Sequence, residues 1–266
     1  QELWQEAVKV IPGGNGLLSK RPDRYLPDIW PAYYSKAKGV KIWDLDNNEY
    51  TDMAQMGIGT AILGYSNNNV DNKVIDSILK GINTTLNCPE EVYLAQKILS
   101  IDTFADSVKF ARTGGEAMSI AIRIARARTG KDKVAFSGYH GWSDWYLASN
   151  LESSENLNGH LLPGLDPAGV PKALLGTAIP FKYNDINDFM SQTKGEDLAA
   201  IIIEGARYDL ADPDFLKAVR KVASDKKAIL IIDEISSGWR SCLGGVYHTY
   251  DNFTPDIVVY GKALDF

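Results

Sequence analysis

Four short stretches place a reactive side chain, or bare backbone, where an apolar run gives way to a turn. In "FARTGGEAMSIAIRIARA", Gly114 and Gly115 follow a strand-like run and open a long helical pattern. Backbone N–H groups at a helix start, free of bulky side chains, form an anion cradle suited to phosphate. The plainer reading is a Thr113 helix cap with a tight glycine turn. In "VAFSGYHGWSDW", Tyr139 can stack on a flat ring, and His140 reads either as a base or as a structural histidine. In "AILIIDEISSGWR", Asp233 ends an apolar strand, where a carboxylate is expensive to desolvate unless it meets a cation. That cation is the protonated ring nitrogen of a cofactor or, more plainly, an ion-pair partner. In "DIVVYGKALDF", Lys262 follows the next apolar strand. Burial lowers a lysine's pKa and lets it form a Schiff base; the plainer reading is a solvated lysine.

Each stretch alone is weak. In order, they supply a phosphate cradle, a ring-stacking aromatic, a carboxylate for a pyridinium and a Schiff-base lysine. That set matches the needs of pyridoxal 5'-phosphate. The absence of GxGxxG and GxxxxGK[ST] argues against dinucleotide and P-loop sites.

Positioning these residues requires a sheet whose strands all end on one side. From about residue 105 the pattern alternates strand and helix, with strands expected at "SVKFA", "KVAFS", "GTAIPF", "AAIIIE", "AILIID" and "DIVVYG". Helices are expected at "EAMSIAIRIARART", "INDFMSQT" and "DPDFLKAVRKVASD". Continuous Ile/Val/Leu runs separated by helices imply an α/β fold with a mostly parallel sheet buried on both faces. Upstream, residues 2–11 predict an amphipathic helix ended by Pro12-Gly13-Gly14, residues 15–38 read as irregular, and "GVKIWDLDNNEYTDM" predicts a hairpin around Asn47-Asn48. Residues 67–81 and 89–100 predict two more amphipathic helices. The expected division is a small N-terminal segment, 1–50, and a large α/β domain, 51–266.

Composition excludes several classes. The 266 residues are 45% hydrophobic and 23% charged, as in an ordinary globular protein. A net charge of −6 argues against nucleic acid as a partner. Cys88 and Cys242 form no CxxC, and His140, His160 and His248 show no HExxH spacing, so no metal site is expected. The start, "QELWQEAVKVIPGG", is unlike a signal peptide, and no apolar run approaches the roughly 20 residues that cross a bilayer. A cytoplasmic protein without a membrane partner is expected.

The stretches "IPGGNG", "KGVKIWDLDNNEYTDM", "TGGEAMSIAIRIARARTGKDKV", "GYHGWSD", "VPKALLGTAIPFKYND", "IIDEISSGWR" and "FTPDIVVYGKAL" resemble class III aminotransferases of the fold-type I pyridoxal-phosphate superfamily. Within it, glutamate-1-semialdehyde 2,1-aminomutase and its relatives are the nearest group. The resemblance implies that Gly114 and Gly115 bind the cofactor phosphate and that Tyr139, beside His140, stacks on the ring. It gives Asp233 the pyridine nitrogen and Lys262 the Schiff base and the proton shuttle. Glu204 occupies the family's acidic position, and Arg207 contacts the ring hydroxyl. Arg21, Arg24 and Met56 are the substrate-binding candidates. It further implies a homodimer acting on a small-molecule amino donor and a carbonyl acceptor, with a C-terminal small domain missing here.

Four departures bear on function. Thr113-Gly114-Gly115 lacks a hydroxyl that relatives offer to phosphate, and Gly205 stands where a proline is usual. "DMAQMGIGTAILGY" lacks the aminomutase tryptophan, and "LLSKRPDRYLP" differs from the aminomutase substrate loop. The last two favour an aminotransferase over an aminomutase-type isomerase. A catalytically silent binding or assembly module of the same fold is the reading from outside enzymology.

Overall fold

The computed structural model describes residues 1–160 and 163–264. It contains two compact units, Gln1–Leu86 and one beginning at Asn87. The sequence suggests a boundary near residue 50. Residues beyond it group with the N-terminal hairpin because the Tyr65 hydroxyl donates to the Asp52 carboxylate at 2.6 Å and Gly39 bridges Tyr65.

The N-terminal unit comprises helix α1 (Glu2–Val10), strands β1 (Tyr34–Lys38), β2 (Lys41–Asp44) and β3 (Glu49–Thr51), the single turn α2 (Met56–Gly59), and α3 (Asn68–Lys80). The expected hairpin is β2–β3, and β1 adds an antiparallel neighbour within a segment read as irregular. Asp44 fixes the turn: its carboxylate accepts from the N–H groups of Asp46 and Asn48, the Asn48 amide and the Tyr50 hydroxyl. Those bonds hold its carboxyl below the ordinary range, the Asn48 side chain contributing most. Helix α3 is capped by Asn67 and buries no residue; Val74, Ile75, Ile78 and Leu79 are exposed.

The second unit runs α4 (Pro89–Leu99), α5 (Gly114–Thr129), β4 (Lys133–Ser137), α6 (Asp144–Leu147), β5 (Ala178–Pro180), α7 (Ile186–Thr193), β6 (Leu198–Glu204), α8 (Pro213–Lys226), β7 (Ile229–Asp233) and β8 (Ile257–Val259). The five strands are parallel in the order β5-β4-β6-β7-β8. β5 and β6 flank β4, so the chain reverses its winding there, and the crevice beyond that reversal is where such sheets take ligands. The register sets Glu204 beside Asp233 at the sheet's carboxyl edge.

β6 is buried from Leu198 to Ile203 because both faces are covered. On one face Phe181, Phe189, Phe215 and Val219 pack; on the other, Met118, Ile122, Phe136 and Tyr146. The helices start where short polar side chains cap them: Thr113 on Glu116 N–H, Asp185 on Asp188 N–H, and Asp212 on Asp214 N–H with Pro213 at the first position.

One expected strand is absent. Among the described residues, 107–111 ("SVKFA") join no ladder, and β8 pairs only with β7. Alternating side chains favour extended backbone, but ladder bonds require an adjacent strand. This segment shares the lining of a cavity with Ile257–Val259 of β8 but forms no ladder with it. Phe215, fully buried against Phe189 and Tyr183 at ring distances of 6.2 and 5.7 Å, is the most direct test of the core. Phe215→Ala is expected to lower unfolding free energy by about 3–5 kcal/mol in urea titration.

Candidate active site

Asp233 closes β7 with 5% of its surface exposed. Its Oδ1 accepts the Ile235 N–H at 2.9 Å, and its Oδ2 lies 2.7 Å from His140 Nδ1. His140 is buried, and its Nε2 donates to the Ser137 carbonyl at 3.0 Å. Both ring nitrogens are therefore engaged within the protein. This geometry supports the structural reading of His140 and leaves no nitrogen to act as a base. Each Asp233 oxygen still has a second lone pair for an incoming cation.

Lys262 follows β8, which pairs with β7 and so brings the lysine near Asp233. It sits in a left-handed conformation with φ of 48°, uncommon for a non-glycine residue and a mark of local strain. Its Nζ meets the Ser236 hydroxyl, a partner the sequence did not announce. Burial lowers the Lys262 pKa and the Arg240 charge acts in the same direction, while Asp233 and Glu204 oppose them. A lowered pKa leaves more neutral amine at a given pH, as a nucleophile requires.

The turn after β4 presents Tyr139. Gly138 has φ of 114°, and a Cβ there would come within 2.7 Å of the Glu204 carboxyl carbon, so only glycine fits. Its N–H donates to His160 Nδ1 at 3.1 Å and its carbonyl accepts the Tyr146 hydroxyl at 2.9 Å. The Tyr139 N–H donates to Glu204 Oε1 at 3.2 Å. Burial, aided by the Asp233 charge, pushes the Tyr139 phenol up to about 12. Arg207 pairs with Glu204 at 2.9 Å and donates to the His160 carbonyl. His160 lies in a polar stretch away from any strand end and Tyr146 on the short helix α6, so no local spacing marks either one.

The phosphate candidates sit on the first turn of α5. Thr113 Oγ1 is spent on the helix cap, and Glu116 reaches back to the Arg112 N–H. The N–H groups of Gly114 and Gly115 meet no protein acceptor among the described residues. Gly141, with φ of 98°, passes so close that its Cβ would lie 2.7 Å from Gly115 Cα. The two glycine backbones thus approach each other without side chains. Bare donors, a near-dry carboxylate, a half-buried tyrosine within its electrostatic reach, and a lysine of lowered pKa fit pyridoxal phosphate.

Gly205 also finds a reason. Its N–H donates to the Asp233 carbonyl at 2.9 Å, which a proline could not do. A Cβ there would lie 2.3 Å from Glu234 Oε1. Arg21, Arg24 and Met56 belong to the N-terminal unit; the Arg21 guanidinium is already paired with Asp23 at 2.6 Å.

Two outcomes follow from this geometry. Gly141→Ala strains a left-handed turn and crowds Gly115, so it should weaken pyridoxal-phosphate binding roughly tenfold or more in an absorbance titration. Burial, helped by the Arg207 and His140 charges, lowers His160 to about 4. The unfolded chain takes up that proton near pH 6.5 while the folded one refuses it until about 4. Stability is therefore lost as pH falls through this window, by roughly 3 kcal/mol for a single group. His160→Gln should flatten the decline when denaturant midpoints are compared at pH 7 and pH 4.5.

The family described as Aminotransferase class-III matches residues 26–265. A 3-aminobutyryl-CoA aminotransferase from Cloacimonas acidaminovorans is 33% identical over 98% of this chain and 61% of its own length. A glutamate-1-semialdehyde 2,1-aminomutase from Sulfolobus acidocaldarius is 32% identical over 99% and 62%. Among solved structures, the PLP internal aldimine form of the Sphingopyxis sp. MTA144 FumI protein aligns with a TM-score of 0.83 at 26% identity, covering 98% of this chain and 60% of that one. An omega-transaminase from Sphaerobacter thermophilus gives 0.82 at 26% identity over the same shares. The chain spans about 61% of the length of these curated relatives. By the length of the family match and by these identities, the chain belongs to the class-III aminotransferase family, with the fold of its pyridoxal-phosphate enzymes.

Proposed function

We propose that this chain carries the cofactor-binding site of a pyridoxal-phosphate-dependent aminotransferase, which moves an amino group from a small-molecule donor to a carbonyl acceptor. The observation that carries the reading is the Asp233 carboxylate, held at the sheet edge by His140 and the Ile235 N–H with Lys262 in its field. The Gly114 and Gly115 N–H groups would hold the phosphate, Tyr139 would cover the ring, and Glu204 and Arg207 would stand near its hydroxyl. When bound, pyridoxal phosphate supplies an electron sink that stabilises negative charge on a substrate carbon.

The protein's own contributions follow from position. Asp233 would hold a protonated ring nitrogen, because a buried carboxylate gains from each further cation or donor that replaces its lost hydration. Lys262, whose lowered pKa leaves more of the amine neutral, would hold the cofactor through its aldehyde group with loss of water, and the same amine would carry a proton to and from the substrate. Ser236 holds Nζ when the amine is free. The turn around Gly138 fixes Tyr139 by two hydrogen bonds on Gly138 and one from Tyr139 N–H to Glu204.

The second reading, an aminomutase-type isomerase, is favoured by the names of several relatives. Analysis of products from one substrate without an added acceptor separates the two, since only an isomerase turns over. Further parts of the proposal are a homodimer, supported by the uncovered apolar residues of α3, and a cytoplasmic location. Among the described residues no helix is long and apolar enough to cross a membrane.

The test is trapping. Protein mixed with pyridoxal phosphate should show a visible absorption band that borohydride abolishes, with the added mass on the Lys262 peptide. Lys262→Ala should show neither. A band and adduct of equal size in Lys262→Ala would defeat the proposal.

A further inference from the structure

A buried acid outside the cofactor cluster ties together the strand ends that carry Asp233 and Lys262. Asp102, just beyond α4, is fully buried. One of its oxygens, Oδ1, accepts three donors: the hydroxyls of Tyr247 and Tyr260 and His248 Nε2, the last at 2.8 Å and Tyr260 at 3.0 Å. Its other oxygen is buried without a partner. A carboxylate so placed is costly, and the three donors offset that cost.

Its partners lie on the segments that shape the site. Tyr260 is separated from Lys262 only by Gly261. The Tyr260 ring packs on Trp239 at 5.0 Å, and a Cβ on Gly238 would lie 2.9 Å from its Cδ1. The segment carrying Ser236, the Nζ partner, therefore runs against the Tyr260 ring. Tyr247 donates its N–H to Glu234 Oε1 at 3.0 Å, and Glu234 adjoins Asp233 and donates its own N–H to Val259. Its ring stacks on His248 at 4.2 Å and meets Phe104 edge-on.

We propose that Asp102 is a positioning residue for Lys262: through the Tyr260 hydroxyl it locks the left-handed turn that holds the lysine in its half-buried place. Through Tyr247 the same oxygen braces Glu234 behind Asp233. Without the Tyr260 anchor the turn relaxes and the amine gains water. The inference rests on reading Lys262 as the reactive amine, but its test needs no cofactor.

The experiment follows the pH dependence of Lys262 labelling by reductive methylation, read peptide by peptide by mass spectrometry on the 266-residue chain. The charged groups facing Lys262 are Asp233, Glu204 and Arg240, and none of them is altered. Tyr260→Phe keeps the ring and removes only the hydroxyl; Asp102→Asn removes the charge. Phe189→Leu, in the core on one face of the sheet, is the control for general destabilisation. The expected result is an upward shift of the Lys262 midpoint in Tyr260→Phe and in Asp102→Asn. Lys217, an exposed lysine on α8, keeps its midpoint, and Phe189→Leu leaves that of Lys262 unchanged. An unchanged Lys262 midpoint in folded Tyr260→Phe overturns the proposal, whatever happens to Asp102→Asn. So does an equal shift in Phe189→Leu. A missing cofactor band would count against the enzyme reading instead and leave this result standing.

Discussion

The Asp233 carboxylate is withdrawn from water at the end of β7, and the rest of the site answers that cost. An anion there loses several kcal/mol of hydration that only donors and cations restore. The protein supplies one N–H from Ile235 and one imidazole edge from His140, and the Lys262 amine beyond the neighbouring strand lies within its electrostatic reach. The parallel register sets this edge: β6 brings Glu204 to one side of Asp233, and β8 brings the Lys262 turn to the other. A sheet of mixed direction would scatter these ends to opposite sides.

Close approaches of backbone and acid keep the arrangement compact. Gly138 gives way to Glu204, Gly205 to Glu234, and Gly141 to Gly115. In each case a Cβ would enter space already filled. Asp233 and Glu234 are successive, so the alternation at the strand end sends them apart. Asp233 meets His140, while Glu234 meets Ser237 and the Tyr247 N–H. Burial raises the Glu234 pKa, and the bonds from Ser237, Tyr247 and Val246 oppose the rise.

Much of this was legible in the sequence, and the pattern of success has a physical basis. Asp233, Lys262, Tyr139 and the two glycines each interrupt an apolar run, and a polar residue that ends a buried strand stands out. Helices α7 and α8 were legible for the same reason, since Asp185 and Asp212 punctuate apolar periodicity. What was hidden depends on long-range partners. β1 was read as irregular because the prolines upstream masked a strand that forms only beside β2. Residues 107–111 have strand composition but join no ladder among the described residues. His160, Tyr146, Ser236 and Asp102 act through bonds to residues up to 158 positions away, and no local spacing reports such bonds. The reason for Gly205 likewise emerged only with Glu234 in place.

Asp233 is proposed to keep a protonated ring nitrogen at the carboxyl edge of the sheet. Pyridoxal phosphate labelled with nitrogen-15 in the ring, bound to the chain and observed by NMR, reports that proton directly. A pyridinium chemical shift is expected in the parent protein at neutral and mildly alkaline pH, and an unprotonated shift in Asp233→Ala. An unprotonated ring nitrogen in the parent, or the same protonated signal in both proteins, would contradict that role.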